Sequence, residues 1–273
     1  MNAENPEAER RGLGSVLRGR QVAAILADVL RPATTQQLEL DGSDLTEVNA
    51  YGAAVLRAAM ETHLARNPSQ GVSVIEPANS ECWAHFSDLL GLPAGQRWSW
   101  SGTRSGAARG RNVLIPATII RDSEDAQLIV DHAIPTAAGA LGYGARTGRL
   151  LQEAAAVFLD NAEQHARSRP VRPVLCVAFH PPSNDLQLVS ANLEDPEDLA
   201  VATATHLHDA ITRSQLAHGA LDDLADRRRG DLDFTVRLIS GTGRARRRSD
   251  EAWRVLDEPE RFPGFVAGLE VHR

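Results

Sequence analysis

In the first third of the chain, apolar residues recur at helical spacing over residues 20–30 and 49–64. They alternate over residues 37–41 and 72–75, so strands and helices are expected in turn. Breakers fix the ends of these elements. Pro32 follows residues 20–30 and disfavours a helical residue before it, and Pro77 stops the strand at 72–75. Asn79 can cap a helix running to Leu90, because its side-chain oxygen can accept from an orphan N–H of the first turn. Ala53, Leu56, Ala59 and Met60 mark the apolar positions of the helix at 49–64. Strands that alternate with helices need crossover connections, so residues 13–95 are expected to form a small α/β layer. Residues 1–12 hold no apolar run and read as a disordered tail.

The pattern breaks at residues 96–113. Residues 96–112, QRWSWSGTRSGAARGRN, have the Gly, Ser and Arg content of a linker, with Trp98 and Trp100 on one side if the chain is extended. Beyond it, residues 123–132 are helical in pattern, and Gly142 and Gly144 mark a turn. Residues 174–180 and 186–190 alternate around PPSND as a hairpin would, and residues 198–228 are Ala-rich and helical. Residues 234–239, 253–256 and 265–271 are strand-like. A chain of 273 residues suits two modest domains, 13–95 and 114–273, joined by the linker 96–113.

Residues 149–166, RLLQEAAAVFLDNAEQHA, combine helix periodicity with polar residues of a kind that builds sites. Leu150, Ala154, Val157, Phe158, Asn161, Ala162 and His165 share one face, with Glu153, Asp160, Glu163 and Gln164 on the flanks or outside. Asn161 and His165 stand in line with an apolar stripe. Each must find a partner or face a cavity; the plainer alternative is two satisfied core polar groups.

Composition removes whole reaction classes. All 29 basic residues are Arg. A P-loop needs its Lys on the phosphates, and Schiff-base chemistry needs an amine, so neither is available. A net charge of −7 disfavours general nucleic-acid binding, and the Arg clusters at 227–229 and 244–248 read as solvated faces or loops. Cys82 and Cys176 are far apart and form no CxxC pair, which supports neither a disulfide scaffold nor a cysteine-rich zinc site. His206, His208 and His218 invite a metal reading, but on a helix His206 and His208 point to different faces, so surface histidines are expected. No apolar run suits export or a membrane span, and the chain is expected to be cytoplasmic.

Two resemblances add to this reading. VFLDNAEQHA resembles the N box of the GHKL ATPases, the superfamily of histidine kinases, gyrase and the anti-sigma-factor kinases, whose pattern is ELxxNAxxHA. Asn161, Ala162, His165 and Ala166 match; Val157 stands at the Glu position. The resemblance implies Asn161 as a magnesium ligand beside nucleotide phosphates, and the missing carboxylate removes the group that orients the attack. In the same family a strand ends in DxGxG, whose Asp reads adenine. Here it ends SANLEDP, with Asn192 in the Asp place and Glu194 and Pro196 where glycines belong. Gly219 alone matches the second glycine box, and of the closing PGTxxxL motif Pro263, Gly264 and Leu269 match while Phe265 replaces the Thr.

LELDGSDLTEVNAYGAAVL resembles the STAS fold of anti-sigma-factor antagonists, in which Asp-Ser-Ser-Gly opens a helix and a Ser before the Gly is phosphorylated. The run here is Asn49-Ala50-Tyr51-Gly52, without a Ser or Thr acceptor; SVIEPANSECWAHFSDLLGL is similar to the STAS ending. For Ser43, Thr46 and Tyr51 ordinary turn and helix-start roles are expected.

The expectation is therefore an α/β protein of two domains, a small STAS-like layer followed by a GHKL-like α/β sandwich with a mixed sheet. It implies a cytoplasmic regulator of the partner-switching type that binds a sigma-regulatory or signalling protein, with no catalytic residue, no required cofactor, no membrane and no direct nucleic-acid contact. A second copy of the chain is a further candidate partner. Should the nucleotide boxes still work, ATP and magnesium would bind at Asn161, His165, Asn192 and Gly219. The alternative is a magnesium-ATP-dependent GHKL protein kinase or ATPase in which Glu153 or Glu163 replaces the lost Glu.

Overall fold

A computed structural model of the chain describes residues 9–18, 37–91, 98–101, 112–140, 142–166, 172–193, 232–249, 251 and 253–272, with the backbone alone at 37, 98–101, 140, 161–166, 240–243 and 255–263. Four strands, β1 (Glu9–Gly12), β3 (Gln37–Asp41), β5 (Gly71–Ile75) and β6 (Trp98–Ser101), form a parallel sheet in the order β1-β3-β5-β6. A short parallel pair, β2 (Val16–Leu17) with β4 (Glu47–Val48), stands beside it. The later strands β7 (Val113–Ile119), β8 (Val174–His180), β9 (Asp185–Asn192), β10 (Phe234–Arg248) and β11 (Arg254–His272) form a second sheet in the order β10-β11-β9-β8-β7.

Between the sheets lies α1 (Ala50–Arg66), and α2 (Ser80–Leu90) packs beside it on β4 and β7. Asn49 caps α1 through an Oδ1 that accepts from the Gly52 N–H at 3.0 Å, and Asn79 caps α2 by accepting from the Glu81 and Cys82 N–H groups. Gly91 then ends α2 in the left-handed region, as a residue without Cβ can. Every residue of α1 from Ala50 to Met60 is buried, because one side of the helix packs on the parallel sheet and the other on β7, β8 and β9. A helix apolar all round belongs inside a molecule, and the small side chains of α1 let it approach both sheets. Its one buried charge in this stretch, Arg57, pairs with Glu61 at 2.9 Å.

The other face of the second sheet is covered by α3 (Ser123–Leu128), a π-helical turn at Ile129–Ala133, α4 (Ile134–Ala140) and α5 (Ala145–Ala166). The helix expected at 123–132 thus runs on to Ala140. Pro135 would break a regular helix interior, but it falls in the first turn after the widened π segment, where its missing N–H is tolerated. Leu150, Leu151, Ala154, Ala155, Phe158 and Leu159 of α5 close this second core against Leu186, Leu188, Phe234, Val236 and Leu269.

The α/β class is as expected, whereas several finer expectations are corrected. The second sheet is antiparallel at every described pairing rather than mixed. Its central strands β8 and β9 are joined by a four-residue turn, and only antiparallel neighbours can be joined so tightly. Part of the tail, Glu9–Gly12, is an edge strand held by backbone pairing and by Arg10 and Arg11, which bond to Asp41 and Glu9. Trp98–Ser101, inside the expected linker, is the opposite edge strand. Nor does the core follow a division into residues 13–95 and 114–273: one apolar cluster takes in Leu13, Leu40, Leu56 and Phe86 together with Cys176, Val189 and Val266.

Candidate functional site

Among the residues expected to meet nucleotide, the structure describes the side chain of Asn192 only. Asn161 and His165 fall in the last turns of α5, where the backbone alone is described, and Gly219 lies outside the described residues, as do His206, His208 and His218. Asn192 ends β9 opposite Phe265, is buried, and has an Oδ1 with no hydrogen-bond partner among the described residues. Gly264 has a φ of 129°, and a Cβ there would overlap the Asn192 carbonyl and Leu193. The close approach of β11 to the end of β9 is sufficient reason for that glycine. Val157 is half-buried against the apolar cluster beneath α5, and Phe265 packs on the same cluster.

At the position of the STAS acceptor, Tyr51 is 3% exposed. Its ring lies on β11 at Gly268, where any Cβ would collide with the phenol. Burial, reinforced by the nearby Glu270 carboxylate, pushes the phenol well above its usual ionisation range. The neighbouring Gly52 is pressed against the Leu17 carbonyl, again with no room for a Cβ. Ser43 and Thr46 have the turn roles expected: the Ser43 N–H donates to Asp41 at 3.0 Å and the Thr46 hydroxyl to the Ser15 carbonyl at 2.9 Å.

A polar site that the sequence reading did not single out occupies one end of the second sheet, on the face turned to α1. Along that face Cys176, Val189, Ala191 and Val266 are apolar core, but towards the other end the same parity carries His180, Asp185, Gln187, Glu270 and His272. His180, Asp185 and His272 stand opposite one another on β8, β9 and β11. The Gln187 amide oxygen accepts from the Ala50 N–H at 3.3 Å, and Arg237 pairs with Glu270 at 2.8 Å.

Two carboxylate, imidazole and hydroxyl chains run through this row. In the first, Glu47 lies 3.1 Å from Nε2 of His180, whose Nδ1 is 2.8 Å from the Ser183 hydroxyl; Arg18 pairs with Glu47 from behind. In the second, Asp185 is 2.7 Å from Nδ1 of His272, whose Nε2 is 2.8 Å from the Thr235 hydroxyl. A carboxylate accepts from one ring N–H and so leaves the other nitrogen as the acceptor for the hydroxyl. Burial holds the His180 imidazolium below its usual range, with Arg18 acting in the same direction and Glu47 opposing. His85 is held down likewise, by burial first and then by His180. Ser183 is exposed in the β8–β9 turn, whereas Thr235 is buried. The available signal in sequence was the loss of apolar residues at matching ends of three strands, FH at 179–180, DLQ at 185–187 and EVH at 270–272.

Comparison of the chain with protein-family models, curated proteins and solved structures finds no match. Among the described residues no helix is long and apolar enough to cross a membrane, and no group of three or more His, Cys, Asp or Glu is placed to hold a metal ion. Cys82 and Cys176 are both buried free thiols, and burial raises the first to about 11 and the second further.

Proposed function

We propose that the protein is a cytoplasmic regulator of the partner-switching type, acting by binding a sigma-regulatory or signalling protein, and that its GHKL-like half does not turn over ATP. The observation that carries the reading is the setting of Val157. At the one place on α5 where the GHKL pattern needs a carboxylate, an aliphatic side chain packs on the core. A group that cannot accept a proton gives no help to an attacking nucleophile. The order of helix, hairpin and two closing strands supports the resemblance from which this argument starts.

The STAS-like half supports the same reading from the other side. With Tyr51 buried under β11, the segment Asn49-Ala50-Tyr51-Gly52 offers no hydroxyl to a kinase, so switching by serine phosphorylation there is not expected. A calorimetric titration with ATP and magnesium is expected to give weak or no heat of binding. Tight, magnesium-dependent binding would favour the kinase alternative.

A further inference from the structure

We propose that Ser183 is a base-activated nucleophile, a site of covalent acylation assembled where the N-terminal layer meets the second sheet. The inference needs no nucleotide and stands independently of the partner-switching reading. Four elements supply the parts: Arg18 follows β2, Glu47 is on β4, His180 ends β8, and Ser183 lies in the turn between β8 and β9. The Ser183 hydroxyl is 2.8 Å from Nδ1 of His180, and Nε2 of the same ring is 3.1 Å from Glu47. These are the two contacts an activated hydroxyl requires, a base on the nucleophile and an orienting carboxylate on the base.

The environment sorts the roles. Ser183 is exposed, so an acyl donor can reach it, while His180 is 5% exposed and its ring is fixed from both nitrogens. Glu47 faces Nε2 and accepts its proton-bearing N–H, which leaves the Nδ1 lone pair for the serine. Arg18 pairs with the same Glu47 carboxylate. The other charged groups near His180 are Asp185, on the next strand, and His85, on α2. Burial keeps the ring neutral, and therefore able to take a proton, to lower pH than an ordinary imidazole.

The substrate class is a carboxylic ester or other acyl donor with a good leaving group. Ser183 Oγ attacks the carbonyl carbon as its proton passes to Nδ1 of His180. An Oγ–C bond forms, the bond from that carbon to the leaving oxygen breaks, and the leaving group takes the proton back from Nδ1. His180 ends neutral and Ser183 ends acylated, with no other reactant consumed. Glu47 is a positioning residue: it touches the base and not the donor.

The test is acetylation of the full-length protein by p-nitrophenyl acetate, read site by site by peptide mass spectrometry. Ser80 and Ser123, also exposed, serve as references within the same chain. Ser183 is expected to acetylate about a hundredfold faster than either, the scale of a positioned general base. The rate at Ser183 should rise with pH through a midpoint below 6.5, the ordinary imidazole value. His180→Gln should bring the rate to that of the reference serines, and Glu47→Gln should lower it and move the midpoint, with folding of each variant checked by circular dichroism. Equal rates at Ser183, Ser80 and Ser123 in the wild-type protein would overturn the proposal and leave the His180 contact as a turn-fixing hydrogen bond. So would an unchanged Ser183 rate in a folded His180→Gln variant.

Discussion

The Tyr51 hydroxyl is buried near Glu270 and Arg237 and has no hydrogen-bond partner among the described residues, while its ring rests on the bare backbone of Gly268. A buried unsatisfied hydroxyl costs stability, so Tyr51→Phe is expected to leave the protein as stable as before or to gain about 1 kcal/mol, measured by chemical denaturation. A loss of that size would show that the hydroxyl is bonded. Gly268→Ala should cost about 1–3 kcal/mol through overpacking, and markedly less in a Tyr51→Ala background. Histidines give the pH dependence. His180 and His85 are held neutral by burial, so unfolding lets them protonate, and their contribution is present above pH 6.5 and lost as pH falls below it. Stability should therefore decline as pH falls below 6.5, less steeply in His180→Gln. Of these residues the sequence made only Tyr51 conspicuous, as a replaced acceptor. What Tyr51 touches depends on a strand far along the chain, and the glycine inside that strand was the local trace of the contact.

At the scale of elements, local signals served well where they are local. The cap Asn79, the breaker Pro77 and the PPSND turn all lie where side-chain chemistry requires a start or a stop, while Asn49, expected as the first residue of its helix, is the cap of α1. Asn49→Ala should cost about 1 kcal/mol by removing the α1 cap, read as a lowered denaturation midpoint. An unchanged midpoint would mean that Gln187, which meets the Ala50 N–H, carries that end of the helix. Faces were less legible than elements. The Ala-rich α1 shows little preference for one side because it has a sheet on both, whereas α5, with its clear apolar stripe, covers one face of the second sheet. Strands β1 and β6 were missed because edge strands need backbone pairing more than an apolar stripe.

For the whole molecule, the shared core is the feature that the sequence could not give. Val174, Cys176, Ala178, Val189, Ala191 and Val266 of the second sheet belong to the same cluster as Leu38, Leu40 and the length of α1. Equilibrium unfolding should accordingly be one transition seen alike by circular dichroism and by tryptophan fluorescence, and two separated transitions would restore independent domains. The proposed function rests on the further claim that the GHKL-like half has kept a framework without its chemistry, and that claim is open to direct measurement. Purified wild-type protein incubated with ATP and magnesium should release no phosphate above an Asn161→Ala control and transfer none to protein. Magnesium-dependent turnover by the wild type, abolished by Asn161→Ala, would contradict the account and make the protein a working kinase or ATPase.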